Sequence, residues 1–314
     1  MSVISEKLNI INTAKNDIKT AIENKGVVVG DVSISDYASK INEISSGGGA
    51  DFEINDCSYL FYKGAKINIV DELLKLCKNV TSVEQMFYQC TTLKNLDLSS
   101  LDIGTSTNMQ YMFYSCQALE NLDLSNFNTE NVTNMNYMFN MCYALKNLDV
   151  SSFNTKKVQN MSSMFAYSRE LAELDLSNFD TSTTRNMDLM FYQCTGLTSL
   201  NISNFDFSKA TAIGNILAGC SQLQNLNFGV NLGKGFTQKS NNYGNYTLNL
   251  SSSTKLTHDS LMSVINGLYD LNLTYDVANG GTLYTQQLQL GSTNMAKLTA
   301  DEITIATNKG WVVS

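Results

Sequence analysis

"NMQYMFYSCQALENLDLSNF" fills Asn108–Phe127, and "NMNYMFNMCYALKNLDVSSF" fills Asn134–Phe153, 26 residues further on. The same ruler runs outward in both directions. Met-Phe pairs fall at Met86-Phe87, Met112-Phe113, Met138-Phe139, Met164-Phe165 and Met190-Phe191, with Ile216-Leu217 as a faded copy. Cysteine keeps step at Cys90, Cys116, Cys142, Cys194 and Cys220, and Ser168 takes the remaining slot. Leucine keeps step at Leu93, Leu119, Leu145, Leu171, Leu197 and Leu223. A fixed period between 20 and 50 residues is the mark of a stacked array, in which no unit buries its own apolar face and neighbours bury it together.

Each unit reads in two parts. Met109, Met112, Phe113 and Cys116 stand at i, i+3, i+4 and i+7, the stripe of a short helix. Leu122 and Leu124 then alternate with Asn121, Asp123 and Ser125, the two faces of a strand. The expected fold is an α/β solenoid with a parallel sheet on one face and short helices on the other. Six coils at strand spacing span on the order of 25–30 Å.

Over residues 80–229 the pattern MF-x-x-C-x-x-L-x-x-L-D-L-S-x-F-(N/D)-T resembles the leucine-rich repeats of BspA-type bacterial surface proteins. Leu60-Phe61 lies one step before Met86, so residues 51–79 read as a degenerate N-terminal cap, and residues 230–314 as a C-terminal capping region. There, helices are expected at Leu261–Leu271 and Leu298–Thr307, and a strand at Trp311–Val313.

Residues 1–44 read as a separate helical module, joined by a Gly/Ser linker at 45–50. Ile4, Leu8, Ile11, Lys15, Ile18 and Ile22 alternate steps of four and three, the seam of a coiled coil with a polar insertion at Lys15. An amphipathic helix packing on Val27–Val29 and on a second helix near Ser35–Ile44 fits the same pattern. This module resembles short N-terminal segments of phage tail and other virion proteins. The closing "LGSTNMAKLTADEITIATNKGWVVS" resembles the segment that follows BspA-type repeats, often in phage-encoded copies.

A formal charge of −8 argues against nucleic acid or an anionic membrane surface as partner. No apolar run reaches the ~18 residues of a membrane span, and "MSVISEKLNIINTAKND" has no basic, apolar and small-residue succession, so no secretory signal is expected there. Proline is absent, which suits stereotyped coils better than many independent loops.

Catalytic chemistry has little to draw on. The one histidine, His258 in "LTHDSL", sits at an expected helix start, and no nucleophile elbow, phosphate loop or HExxH is present. Neither enzyme activity nor a cofactor is expected. The repeated cysteines read as buried thiols, with Cys57 and Cys77 as the pair to test for a disulfide.

The strand face carries the polar candidates: Asp97, Asp123, Asp149 and Asp175 in one row, continued by Asn201, with Asn121 and Asn147 beside them. Like charges ~5 Å apart repel by roughly 3 kcal/mol at an effective dielectric of 20. The row therefore needs solvent, hydrogen bonds from the Asn95/Asn121/Asn147 and Ser99/Ser125/Ser151/Ser177 rows, or a bridging cation such as calcium. A second ladder, Asn108, Asn134, Asn160 and Asn186, is expected to cap helices or bridge coil backbones. Tyr88, Tyr111, Tyr114, Tyr137 and Tyr192 flank the Met-Phe pairs as packing or as contact surface.

Together with the resemblances, these features imply a virion protein of a phage. Its N-terminal module would join it to other virion proteins and to copies of itself, with a trimer as the working number. Its repeat face would meet a bacterial surface polysaccharide or protein. A BspA-type adhesin on the bacterial cell surface, or a decoration protein with no receptor, are the alternatives.

Overall fold

The computed structural model describes residues 54–58, 60, 61, 74, 77–234, 247–273 and 286–314. The expected N-terminal module with its Ile4–Ile22 seam, the linker and most of the 51–79 cap lie outside the described residues.

Strands β1 (Ile54–Asp56) and β2 (Cys77–Ser82) pair in parallel. The repeats contribute β3 (Asn121–Leu122), β4 (Asn147–Leu148), β5 (Glu173–Asp175), β6 (Ser199–Asn201) and β7 (Asn225–Asn227). After them come β8 (Thr247–Asn249), helix α1 (His258–Gly267), a 3-10 turn at Leu271–Leu273, β9 (Gln287–Gln289), α2 (Gly291–Met295), α3 (Ala300–Asn308) and β10 (Val312–Val313). The strands form four small parallel sheets, β1-β2, β3-β4, β5-β6-β7 and β10-β9-β8, and among the described residues none closes into a barrel.

The pairing register equals the sequence period. Leu122 lies opposite Leu148, Leu174 opposite Leu200, and Leu200 opposite Leu226. A second row of parallel bridges joins Asn108, Asn134, Asn160, Asn186 and Ala212. Inside, Phe61, Phe87, Phe113, Phe139, Phe165 and Phe191 form one column, with neighbouring ring centroids 5.0, 5.5, 5.6, 5.7 and 5.7 Å apart. Burial of each ring stabilises by roughly 1.5–3 kcal/mol. Phe61 thus occupies the repeat position of a preceding unit, as the spacing predicts.

The expected helices of the repeats are absent. Met112 N–H donates to Met109 O and Cys116 N–H to Phe113 O, closing two successive four-residue turns. Every other amide leaves the unit: Tyr111, Phe113 and Ser115 donate to Asn136, Met138 and Asn140 of the next, at 3.0, 2.9 and 2.7 Å, while Tyr114 N–H stays with Tyr111 O at 3.1 Å. A helix would need those amides for its own i−4 carbonyls. Each turn carries one residue of positive φ, Tyr111 at 57° and Ser115 at 58°, and the pair recurs in every unit down to Asn215 and Gly219. For a non-glycine residue that conformation costs roughly 1–2 kcal/mol. The inter-unit bonds, and burial of Met109, Met112, Phe113 and Cys116, offset it.

The last repeat strand is sealed by α1. Ser260 Oγ accepts from Leu226 N–H at 2.9 Å and donates to Gln224 O at 3.0 Å, while Ser263 Oγ accepts from Phe228 N–H at 2.7 Å. Side chains of a helix thereby occupy the hydrogen-bonding edge that a further strand would use. Helix α3 begins with a capping box, Thr299 with Glu302. Lys309 Nζ donates to the carbonyls of Ile265, Asn266 and Leu268 at the end of α1. Trp311 is buried and its indole N–H donates to Tyr269 O at 3.0 Å. Both expected C-terminal helices are present, α1 starting three residues earlier and α3 two residues later than the periodicity suggests.

Candidate binding site on the strand face

Along each strand the leucines turn inward and the polar residues outward, so Asn121, Asp123, Asn147, Asp149, Asp175 and Asn201 are all exposed while Leu122, Leu148, Leu174 and Leu200 are buried. Parallel register sets like residues side by side: Asn121 beside Asn147, and Asp175 beside Asn201. The candidates fall into two shallow grooves. Asp97, Asn121, Asp123, Asn147 and Asp149 line one of about 670 Å³, and Asp175 and Asn201 line another of about 450 Å³.

How the carboxylates tolerate one another is visible. Oδ1 of Asp97, Asp123, Asp149 and Asp175 each accepts from the backbone N–H two residues on, at Ser99, Ser125, Ser151 and Ser177, always at 2.9 Å. These serine N–H and hydroxyl groups hold all four carboxyls below the usual carboxylate range. The serine row is therefore the donor that the sequence suggests. Asn95, Asn121 and Asn147 are exposed, and among the described residues none of them hydrogen-bonds to these carboxylates. Asn201 repeats the turn with an amide, its Oδ1 accepting from Ser203 N–H at 3.2 Å. No group of three or more His, Cys, Asp or Glu side chains with the geometry to hold a metal ion exists among the described residues.

The Asn108 ladder bridges coil backbones through its own main chain, in the row of parallel bridges, and its side chains close local turns instead of capping helices. Its side-chain oxygens accept from the N–H two residues on, as in Gln110 to Asn108 at 3.1 Å and Ser162 to Asn160 at 3.0 Å. The cysteine ladder has a definite role. Sγ of Cys116, Cys142, Cys194 and Cys220 donates to the carbonyl of the Phe one unit back at 3.1–3.2 Å, and Ser168 Oγ makes the same bond to Phe139 O at 3.0 Å. Burial pushes the Cys142 and Cys220 thiols up to about 12. Cys57 and Cys77 are likewise buried.

Two polar ladders carry bonds that the sequence reading did not single out. Thr129, Thr155 and Thr181, the last letter of the repeat pattern, are buried and bond both N–H and C=O of the residue 25 further on. Asn126 and Asn204 each donate back to two carbonyls of the preceding unit, and Asn178 to three. Their recurrence was the available signal.

The tyrosines pack mainly on one another. Tyr88 stacks on Tyr114 at 4.8 Å, Tyr111 on Tyr137 at 4.7 Å, and Tyr192 meets Tyr167 edge-on at 5.3 Å. Half-burial raises the Tyr111 and Tyr114 hydroxyl pKa. His258 opens α1, and its Nε2 lies 2.9 Å from Glu302 Oε1 of α3, with Nδ1 3.4 Å from Asp259. It ties two capping helices together.

A chain of short parallel strands in register at the sequence period, with one exposed polar row per strand, defines a repeat-fold protein with a lengthwise polar face. The chain belongs to the family described as "Mycoplasma protein of unknown function, DUF285", whose pattern matches residues 55–148 and 120–228, together more than half of the 314 residues. No curated protein and no solved structure matches it. No described helix is long and apolar enough to cross a membrane.

Proposed function

We propose that the chain is a leucine-rich-repeat solenoid of the BspA type whose strand face recognises a cell-surface polysaccharide or protein. One observation carries this reading: the row Asp97, Asp123, Asp149, Asp175 is exposed, each carboxylate hydrogen-bonded among the described residues by its own serine, with the exposed Asn121 and Asn147 alongside. Carboxylates and amides at one spacing along a groove present acceptors and donors to a series of hydroxyls.

The test is binding of the labelled protein to bacterial cells and to arrayed glycans, compared with an Asp123→Asn, Asp149→Asn variant. Asn201 shows that an amide keeps the local turn, so the variant folds. Loss of binding supports the reading, and equal binding by both proteins sinks it.

The carrier is proposed to be a phage virion, with residues 1–44 attaching the protein to other virion proteins and joining copies of it, three being the proposed number. The resemblance of both chain ends to virion proteins supports this. The family description names Mycoplasma proteins, which favours a second carrier, the bacterial cell surface. Mass spectrometry of purified particles and of peptides shaved from intact cells separates the two. Light scattering of the full chain gives three times 34.7 kDa for a trimer.

A further inference from the structure

A third groove shares no lining residue with the two on the strand face, and its residues follow the aspartate row by seven to ten positions. It encloses about 460 Å³, and four of its lining residues are Lys156, Lys157, Arg185 and Lys209. We infer that this groove binds a linear polysaccharide bearing carboxylate or sulfate groups.

Four cations gathered in one groove stand out on a chain of net charge −8. All four are exposed. Among the described residues none has a carboxylate within 4.0 Å. Lys157 Nζ donates instead to Asn131 Oδ1 at 3.0 Å. The acid that feels this charge is Asp180, whose carboxyl is held low mainly by the Ser182 hydroxyl and N–H, with Lys156 adding to it.

The repeat sets the cations in line. Lys157, Thr183 and Lys209 share one position in three successive units, and Gln159 and Arg185 share another two residues on. The backbone beneath is fixed by Gln159 N–H to Thr133 O, Arg185 N–H to Gln159 O and Thr211 N–H to Arg185 O, at 2.8, 2.9 and 2.8 Å. At strand spacing, Lys157 and Lys209 stand about 10 Å apart along the stack. An extended polymer laid there meets at least one cation per unit over three units. The Arg185 fork matches the two oxygens of a carboxylate or sulfate. Thr133, Gln159 and Ser182 offer hydroxyl and amide groups to the sugar hydroxyls between. Single-stranded nucleic acid fits less well, because no aromatic side chain lines the groove for bases to stack on.

The test is calorimetry of the full chain with a sulfated heparin octasaccharide, an oligogalacturonate octamer, a neutral dextran of the same length and a single-stranded oligonucleotide. The proposal expects at least one charged glycan to bind, the dextran not to bind, and affinity to fall with added salt. Which charged glycan binds tells sulfate from carboxylate. Two exposed contacts removed in an Arg185→Gln, Lys209→Gln variant should weaken binding about tenfold, with Lys157→Gln as an independent second variant. No binding of either charged glycan, undiminished binding by both basic-groove variants, or tighter binding of the oligonucleotide would overturn the inference.

Discussion

Replacing Thr155 by valine isolates one polar link between units. Thr155 is 1% exposed, its Oγ donates to Asp180 O at 3.0 Å, and it accepts from Asp180 N–H at 2.8 Å. Valine keeps the shape and removes both bonds, so the Asp180 N–H and C=O lose their partner without a cavity forming. At this part-buried site each orphaned group costs about 1–1.5 kcal/mol, the low end for an unsatisfied group, and the pair together about 2–3. With a urea slope of about 3 kcal/mol/M, the unfolding midpoint falls by about 0.7–1 M. Exchange of the Asp180 amide, read by mass spectrometry, should accelerate by roughly 30- to 150-fold. Thr155→Ser retains the oxygen and should lie within about 1 kcal/mol of wild type. A valine variant with an unchanged midpoint and an equally protected Asp180 amide would refute the link.

Other perturbations follow from the same geometry. Cys142→Ser should be nearly neutral, within about 1 kcal/mol, because Ser168 already makes that bond, whereas Cys142→Ala should cost about 1–2 kcal/mol in thermal or urea unfolding. With the Cys142 and Cys220 thiols raised to about 12, iodoacetamide at neutral pH should label them only after unfolding. Ser260→Ala with Ser263→Ala strips the Leu226 and Phe228 amides of partners and should lower stability by about 2–4 kcal/mol, read from the urea midpoint. The pH response has two opposite limbs, both measurable as urea midpoint against pH. Asp123, lowered from 3.8, contributes stability present above that value and lost as pH falls through its folded pKa, so Asp123→Asn should flatten the acid limb. His258, raised from 6.5, contributes stability present below that value and lost as pH rises through its folded pKa, so His258→Gln should flatten the neutral limb.

Much of this was legible because repetition converts weak local signals into a strong one. The leucine columns, the buried phenylalanines and the outward aspartates all lie where the 26-residue ruler puts them. The helices were misread for a physical reason. Met109, Met112, Phe113 and Cys116 begin and end two consecutive four-residue turns, and that puts the same i, i+3, i+4, i+7 positions inward as a helix does. The positive-φ slots are filled by Tyr111, Met141 and Leu189, residues that give no warning; only Asn215 and Gly219 in the final unit hint at a left-handed backbone. The serine donors were readable from the L-D-L-S motif. The basic groove was not, because Thr183 interrupts the repeat position that Lys157 and Lys209 share, Arg185 stands two residues further on, and the cations become neighbours only on stacking.

The serine-bearing helix that closes the final strand bonds to backbone amides, so what it grips is indifferent to which copy comes last. Removing or duplicating a whole copy further up would present the same amides to it. Reach can then lengthen or shorten over generations in whole steps, each added copy extending the outward polar row by one position while the stopper stays as it is.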